Sequence, residues 1–419
     1  MTEPKQTAVR PRKSGYLPSL DGWRAIAIVG VMMTHDRSWI IFGHSFAFAM
    51  GYGGYGVNLF FAISGFLITY RILEEEALVG HFHIKRFYIR RLFRIQPAQI
   101  VFLAAVALLG VTGVLYRGIY FDTVSTWFSS IFLYINFLWR PSSPNVITGH
   151  FWTLAVEEHF YILLSLTLFF IKKHRGLALF VLFAACALPM ELLSVSTKEA
   201  WYLPFYGSRA TQWHLPPLLL AALAAVIVRR PAVMQSMKRW LRPWVAFLGT
   251  LLIAIAAHTF DLWHTHRPIA PFRHLDAEFP LISTYLFIFW ILSTVFHPQS
   301  LTTRLLEWKP ARLIGTFSYS LYLWHVVVFY LWIILFLKTD APFAYLTQNG
   351  LFSFFQEPLK YACVLLFGMM SYYFVEKPLI RVGHRLAPAA TTGRPELSDL
   401  PVEKADPLPN PSLPHTAQG

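Results

Sequence analysis

The chain has 419 residues, of which 55% are hydrophobic and 14% charged, with a formal net charge of +14. A soluble domain carries about 25% charged residues, so an ordinary soluble fold is excluded. The basic residues lie between apolar runs, a pattern that argues against a nucleic-acid partner and for the loops of a protein in a lipid bilayer.

Apolar runs near the ~20 residues that a spanning helix needs recur at 21–40, 55–73, 95–115, 151–171, 177–195, 213–229, 243–259, 280–297, 313–337 and 356–376. They are continuous rather than alternating, which predicts helices and not barrel strands. The expected fold class is therefore all-α: a polytopic integral membrane protein with about ten transmembrane helices and both termini cytoplasmic. A further run, 124–139, would be an eleventh span. Counting it would put Lys172, Lys173 and Arg175 on the side opposite the basic cluster in 71–94. With ten spans, twenty-six of the 36 lysines and arginines share one side, as cytoplasmic loops do. The segment 124–139 is therefore read as re-entrant or interfacial.

The organisation that follows is a basic cytoplasmic tail at 1–16, a membrane domain at 17–385 and a tail at 386–419. This last stretch is rich in Pro, Thr, Ser and charge, has no hydrophobic period, and reads as a disordered cytoplasmic extension. The first apolar run carries Asp21, Arg24 and His35 and lacks a small-residue cleavage site, so it is not read as a signal peptide. No internal repeat of the transporter kind is visible. Cys186 and Cys363 lie far apart inside apolar runs and are read as packing residues, with no disulfide framework or metal site.

Ionisable groups within such helices cost about 2.5–3.5 kcal/mol each on insertion scales, so they are functional candidates. Arg24 and His35, 11 residues apart, fall on one helix face about 16 Å apart along the axis. A snorkelling arginine and a histidine bonded to a carbonyl are the plain alternative. Arg90, Arg91 and Arg94 crowd the start of the third span, where like charges repel unless an anion holds them. Guanidinium forks suit phosphate, although lipid headgroups attract the same residues. Glu157, with Thr153 four residues before it, enters the fourth span from the outside. Its depth resembles that of His35 by rise arithmetic, and a carboxylate there would fix an imidazole's tautomer; a water-exposed acidic cluster is the alternative. Ser318, Tyr322 and His325 share a face of the ninth span at a similar depth, where an interfacial aromatic belt is the competing explanation. The glycines of 51–56 follow no strand and are read as a tight turn before the second helix.

Read together, these segments resemble the acyltransferase-3 family of membrane O-acyltransferases. Leu20-Asp21-Gly22-Trp23-Arg24-Ala25-Ile26-Ala27 through His35 is similar to the family's first-helix motif, and Gly56-Val57-Asn58-Leu59-Phe60-Phe61 through Ile68 to its second-helix signature. Arg91-Leu92-Phe93-Arg94 fits an Arg-x-x-Arg element, and Trp152-Thr153-Leu154-Ala155-Val156-Glu157-Glu158-His159-Phe160-Tyr161 fits the Trp-Ser-Leu-x-Val-Glu-Glu-Gln-Phe-Tyr type. Ser318 through His325 and Glu376-Lys377-Pro378 match late elements. Asn58, Thr153 and His159 depart from the usual aspartate, serine and glutamine. The resemblance is to the stand-alone type, without a fused hydrolase-like domain, which works with a separate partner protein.

The resemblance implies a bacterial inner (plasma) membrane enzyme that moves an acetyl or other short acyl group from acyl-CoA, without a metal, to a carbohydrate or glycolipid acceptor. Arg24, Arg90, Arg91 and Arg94 would hold the coenzyme phosphates and His35 would act as base. Glu157 would orient or charge-stabilise it, and His325 or Tyr322 would donate to the oxyanion. Direct transfer and an acyl-histidine route are both open. The rival readings are a proton-coupled transporter using the same polar track and an inactive, acceptor-binding relative.

Overall fold

The computed structural model describes residues 16–36, 40–41, 44–45, 55–114, 124–138, 147–193, 209–265, 281–337 and 350–388. The glycines at 51–54, residues 1–15 and most of the C-terminal tail, from 389 on, lie outside the described residues. The described residues are helical or in turns apart from a short antiparallel pair, β1 (Ile40–Ile41) and β2 (His44–Ser45). The helices are α1 (Pro18–His35), α2 (Tyr55–Val79), α3 (Ile84–Val111), α4 (Val124–Ile131), α5 (Ile135–Leu138), α6 (Phe151–Phe170), α7 (Arg175–Leu193) and α8 (Thr211–Ile227). They continue with α9 (Pro231–Trp240), α10 (Pro243–Thr265), α11 (Ile282–Phe296), α12 (Leu301–Leu306), α13 (Lys309–Trp332), α14 (Gly350–Ser371) and α15 (Lys377–Leu386). Wider π-helical turns extend α13 over Ile333–Leu337 and join α14 to α15 over Tyr372–Glu376.

Each apolar run read from the sequence contains a helix, although the first leaves its helix at His35 and reaches β1 at Ile40, and fewer than the ten expected spans are long enough among the described residues. Five helical stretches, Tyr55–Val79, Ile84–Val111, Phe151–Phe170, Lys309–Phe336 and Phe355–Leu386, are long and apolar enough to cross a bilayer, and the pair α8–α9, bent by 113°, makes a sixth if it is one span. Shorter apolar helices occupy Arg175–Pro189, Pro243–Ala256 and Ile282–Phe296. Of the segment 124–139, the described residues 124–138 fold as the short α4 and α5, broken at Leu133, whose φ is +56°. Eight residues rise only about 12 Å, too short to cross. The basic segment 84–94 belongs to α3 itself, so the third helix starts a good ten residues before its apolar run.

The outer surface carries many large apolar side chains, among them Leu108, Val111, Phe170, Leu177, Phe247 and Phe374, as lipid contact requires. At the centre lies α2, packed by α1, α8 and α11. Without a hydrophobic drive in lipid, helices associate through small residues that let backbones meet. Gly65 of α2 faces the backbone of Leu218 on α8, and Gly315 of α13 faces the carbonyl of Asp21 on α1, so closely that a Cβ at either would collide.

Ion pairs set which loops share an end of the bundle. Arg175, the first residue of α7, reaches Glu76 near the end of α2 at 2.5 and 3.0 Å. Arg90 pairs with Glu75 at 2.6 Å and touches the Ala387 carbonyl at 3.4 Å. Arg312 donates to Tyr16 at 3.0 Å. The basic segments 71–94 and 172–175, the start of α13, Tyr16 and Ala387 therefore lie at one end, which we call the arginine end.

Candidate active site

A vestibule of about 1840 Å³ opens at the arginine end, lined by Asp21, Arg24, Arg71, Glu75, Arg90, Arg91, Arg94 and His384, among others. A narrower cavity of about 810 Å³ continues inward past Arg24, Arg91 and Arg94, which line both, to Thr153 and Tyr322. Five helices build this neck: α1 gives Arg24, α2 gives Phe60, Ser64 and Ile68, α3 gives Arg91 and Arg94, α6 gives Thr153 and Glu157, and α13 gives Ser318 and Tyr322.

The arginines differ in their commitments. Arg90 is held by Glu75, and Arg24 lies 3.3 Å from Asp21. The Arg91 guanidinium sits 4.8 Å from the Tyr161 ring centre, a cation–π contact. Arg94 is exposed and makes no hydrogen bond or ion pair among the described residues. Tyr16, at the mouth, gives its proton to Asp21 at 2.5 Å; burial and that bond raise its pKa above the ordinary phenol value.

Glu157 accepts from Ser64 at 3.1 Å and from Tyr161 at 2.9 Å. Its place is in the wall of the neck beside Arg91, one turn from Thr153, and its bonds are to α2 and its own helix. Thr153 shares a 2.6 Å bond with the Tyr322 hydroxyl, which donates to the His150 carbonyl, also at 2.6 Å. Tyr322 therefore closes the inner end of the cavity.

Beyond Tyr322 three imidazoles cluster. Ring centres of His35 and His325 are 4.9 Å apart, those of His150 and His325 5.4 Å, and Tyr322 lies 5.2 Å from His150 and 5.6 Å from His325. His35 Nδ1 meets the Val31 carbonyl at 2.9 Å. A carbonyl only accepts, so Nδ1 carries the proton and neutral His35 keeps its lone pair on Nε2. His325 is fixed alike: Nδ1 meets the Tyr322 carbonyl at 2.8 Å, while Nε2 is buried with no partner among the described residues. Neutral His325 thus offers an acceptor rather than a donor. His35 is exposed and His325 fully buried.

The structure therefore brings together His35, His325 and Tyr322 at one end of the cavity and Arg24, Arg91 and Arg94 at the other, with Glu157 in the wall between. Sequence reasoning gave no role to Arg71, His150, Ser64 or Tyr161. Tyr161 was within reach, since it stands four residues after Glu157 on one helix face. Arg209 was not: it crosses from the start of α8 to the Gly149 carbonyl at 3.1 Å and stacks on Trp152. Among the described residues no group of three or more His, Cys, Asp or Glu is placed to hold a metal ion.

These features define a multi-pass membrane protein with a buried polar passage, basic at one end and imidazole-lined at the other. The chain belongs to the acyltransferase-3 family, whose acyltransferase domain matches residues 17–380. It is similar to the peptidoglycan O-acetyltransferase OatA of Listeria monocytogenes, 27% identical over 397 residues, covering 90% of this chain and 58% of the relative. YrhL of Bacillus subtilis, provisionally named a peptidoglycan O-acetyltransferase, is 27% identical over 387 residues, covering 88% of this chain and 56% of the relative. A provisionally named O-acetyltransferase of Staphylococcus aureus strain COL is 26% identical over 392 residues, covering 89% and 58%. The chain thus spans less than three fifths of the length of these relatives. No solved structure matches it.

Proposed function

We propose that this chain transfers an acetyl or similarly short acyl group from a coenzyme A thioester, bound at the arginine end, to a hydroxyl of a cell-envelope glycan reached at the histidine end. The observation that carries the reading is the continuous path: vestibule and cavity share Arg24, Arg91 and Arg94, and the cavity stops at Tyr322, beside the His35–His325 pair. Arg94, Arg91 and Arg24, joined by Arg71, suit the coenzyme's phosphates. The pantetheine arm is of the same order of length as the ~16 Å between Arg24 and His35.

His35 takes the acceptor's proton at Nε2, the kind of group whose ordinary pKa of about 6.5 suits proton transfer near neutrality. The acceptor oxygen bonds to the acyl carbon, the carbon–sulfur bond breaks, and the thiolate takes up a proton. Neutral His325 has its proton bonded to the Tyr322 carbonyl, so Tyr322 is the donor for the developing oxyanion once its own proton turns from the His150 carbonyl to the new charge. Glu157 steadies the neck through Ser64 and Tyr161. Peptidoglycan, named for two relatives, is the first acceptor to test. The arginine end faces the cytoplasm of a bacterial inner membrane, as the positive-inside rule requires, with ten spans and both termini inside. The family match favours this enzyme over the transporter.

The test is transfer of labelled acetyl from acetyl-CoA to a peptidoglycan fraction by the full chain in nanodiscs. Wild type should label the glycan and His35→Ala should not, although it binds coenzyme A normally. Equal labelling by His35→Ala would remove His35 from the role of base; absence of both labelling and coenzyme A binding in wild type would remove the reaction itself.

A further inference from the structure

Past the histidines, at the end of the bundle away from the arginines, three ionisable side chains are buried together. Asp36 and Lys360 are each 1% exposed and Glu357 8%. Lys360 Nζ lies 2.8 and 2.7 Å from the two Asp36 oxygens and 2.6 Å from Glu357. The rings of Phe329 on α13 and Tyr361 on α14 stand 5.6 and 5.9 Å from the same nitrogen.

Stability alone is a weak reason for such a set. A buried ion pair is often no better than apolar residues of the same volume, and ionisable groups in membrane helices are costly to insert. Position supplies a stronger reason. His35 is the last residue of α1, and Asp36 is the next. The backbone of Asp36 turns out of the helix at once, with φ −83° and ψ 90°, and its N–H closes the final turn on the Met32 carbonyl. A helix end is where hydrogen bonds run out and the chain frays, and no glycine cap follows here. An exposed histidine in that last turn would swing with it. A misplacement of about 1 Å can cost a reaction about 100-fold.

We propose that Lys360 is a positioning residue: by gripping Asp36 it anchors the end of α1 to α14 and holds His35 against His325. Glu357, one turn before Lys360 on α14, aims the ammonium from its own helix. The contact between Phe329 and Tyr361, with ring centres 5.6 Å apart, fixes α14 to α13, which bears His325. The two imidazoles are thereby referred to one frame. The catalytic consequence rests on the function proposed above; the anchoring does not.

The test uses the full chain in nanodiscs with three preparations: wild type, Lys360→Met, and the neutral triple variant Asp36→Asn/Glu357→Gln/Lys360→Met. Amide hydrogen exchange of the peptide covering 28–36 should speed up about tenfold in both variants, as a released helix end does. Acetyl transfer should fall about 100-fold in kcat, while coenzyme A binding at the far end stays within about twofold, as for a distant independent site. The triple variant leaves no unpaired buried charge, so it should regain thermal stability without regaining kcat. If Lys360→Met is not recovered folded, the triple variant carries both readouts. Unchanged exchange at 28–36 in either variant overturns the anchor, and a triple variant with wild-type kcat overturns its catalytic role. Should wild type itself fail to transfer acetyl, the proposed function falls, while the exchange measurement still decides the anchor.

Discussion

Arg90 and Arg94 stand one helical turn apart on α3, yet the structure predicts opposite consequences for removing them. Arg94 is exposed at the neck with no partner among the described residues, so its guanidinium is available to a phosphate. Arg90 is held 2.6 Å from Glu75, and binding a phosphate would require breaking that pair. A hydrogen bond to a charged group contributes about 1.5–3 kcal/mol. Arg94→Gln should therefore weaken coenzyme A binding about 10- to 150-fold. Removing Arg90 alone would leave Glu75 as a bare anion facing the vestibule, so the informative variant is the neutral exchange Glu75→Gln/Arg90→Gln. It keeps the net charge of the vestibule and should shift Kd by less than about threefold, the scatter expected for an independent site. The assay is equilibrium binding of labelled coenzyme A to the full chain in nanodiscs at two salt concentrations. Arg94→Gln should also flatten the salt dependence, since one screened charge is gone. If the double exchange loses as much affinity as Arg94→Gln, the Arg90–Glu75 pair is not a structural staple and the argument fails.

The remaining predictions concern the helix contacts and the cavity's end. Gly315→Val puts a side chain where the Asp21 carbonyl of α1 stands; an overpacking cost of about 1–3 kcal/mol should appear as a lower unfolding temperature, and an unchanged one would refute the close approach. Tyr322→Phe keeps the ring against His150 and His325 but removes the bonds to Thr153 and the His150 carbonyl. It should cost about 1–2 kcal/mol of stability and lower kcat while leaving coenzyme A affinity intact; unaltered kcat would exclude Tyr322 as the oxyanion donor. Glu157→Gln gives Ser64 and Tyr161 one acceptor oxygen in place of two, so thermal stability should drop, and a neutral outcome would show that the neck does not depend on this carboxylate.

The helices were legible because bilayer thickness turns apolar length into a direct signal. Amphipathic periodicity would have helped little, since lipid surrounds helices such as α3 and α7 on several sides. Their starts and ends were less legible: charged residues 84–94 continue α3 beyond its apolar run, because a helix need not stop where its hydrophobicity does. Arg24, His35 and His325 could be placed by rise along an axis. Rise arithmetic gives depth but not direction around the helix, which is why Glu157, expected near His35, has its bonds to Ser64 and Tyr161. The partnerships that decide the site's behaviour join distant segments, Arg175 with Glu76 and Lys360 with Asp36, and spacing within one helix carries no trace of them. Arg90 illustrates the same limit, since its spacing to Arg94 suggested a phosphate ligand while its partner waited on α2.

The closure at Tyr322 also bears on the membrane as a barrier. A wet passage that penetrates deep into a bundle would, if it ran through, let ions and protons flow down their gradients. Here the seal is a single phenol pinned by a threonine and a backbone carbonyl, with imidazoles packed behind it. Whatever moves past that point must do so without opening a continuous column of water. A group of a few atoms handed from one side to the other meets that demand, whereas a whole carrier molecule does not, so under the proposed function the carrier would stay on the arginine side of the seal.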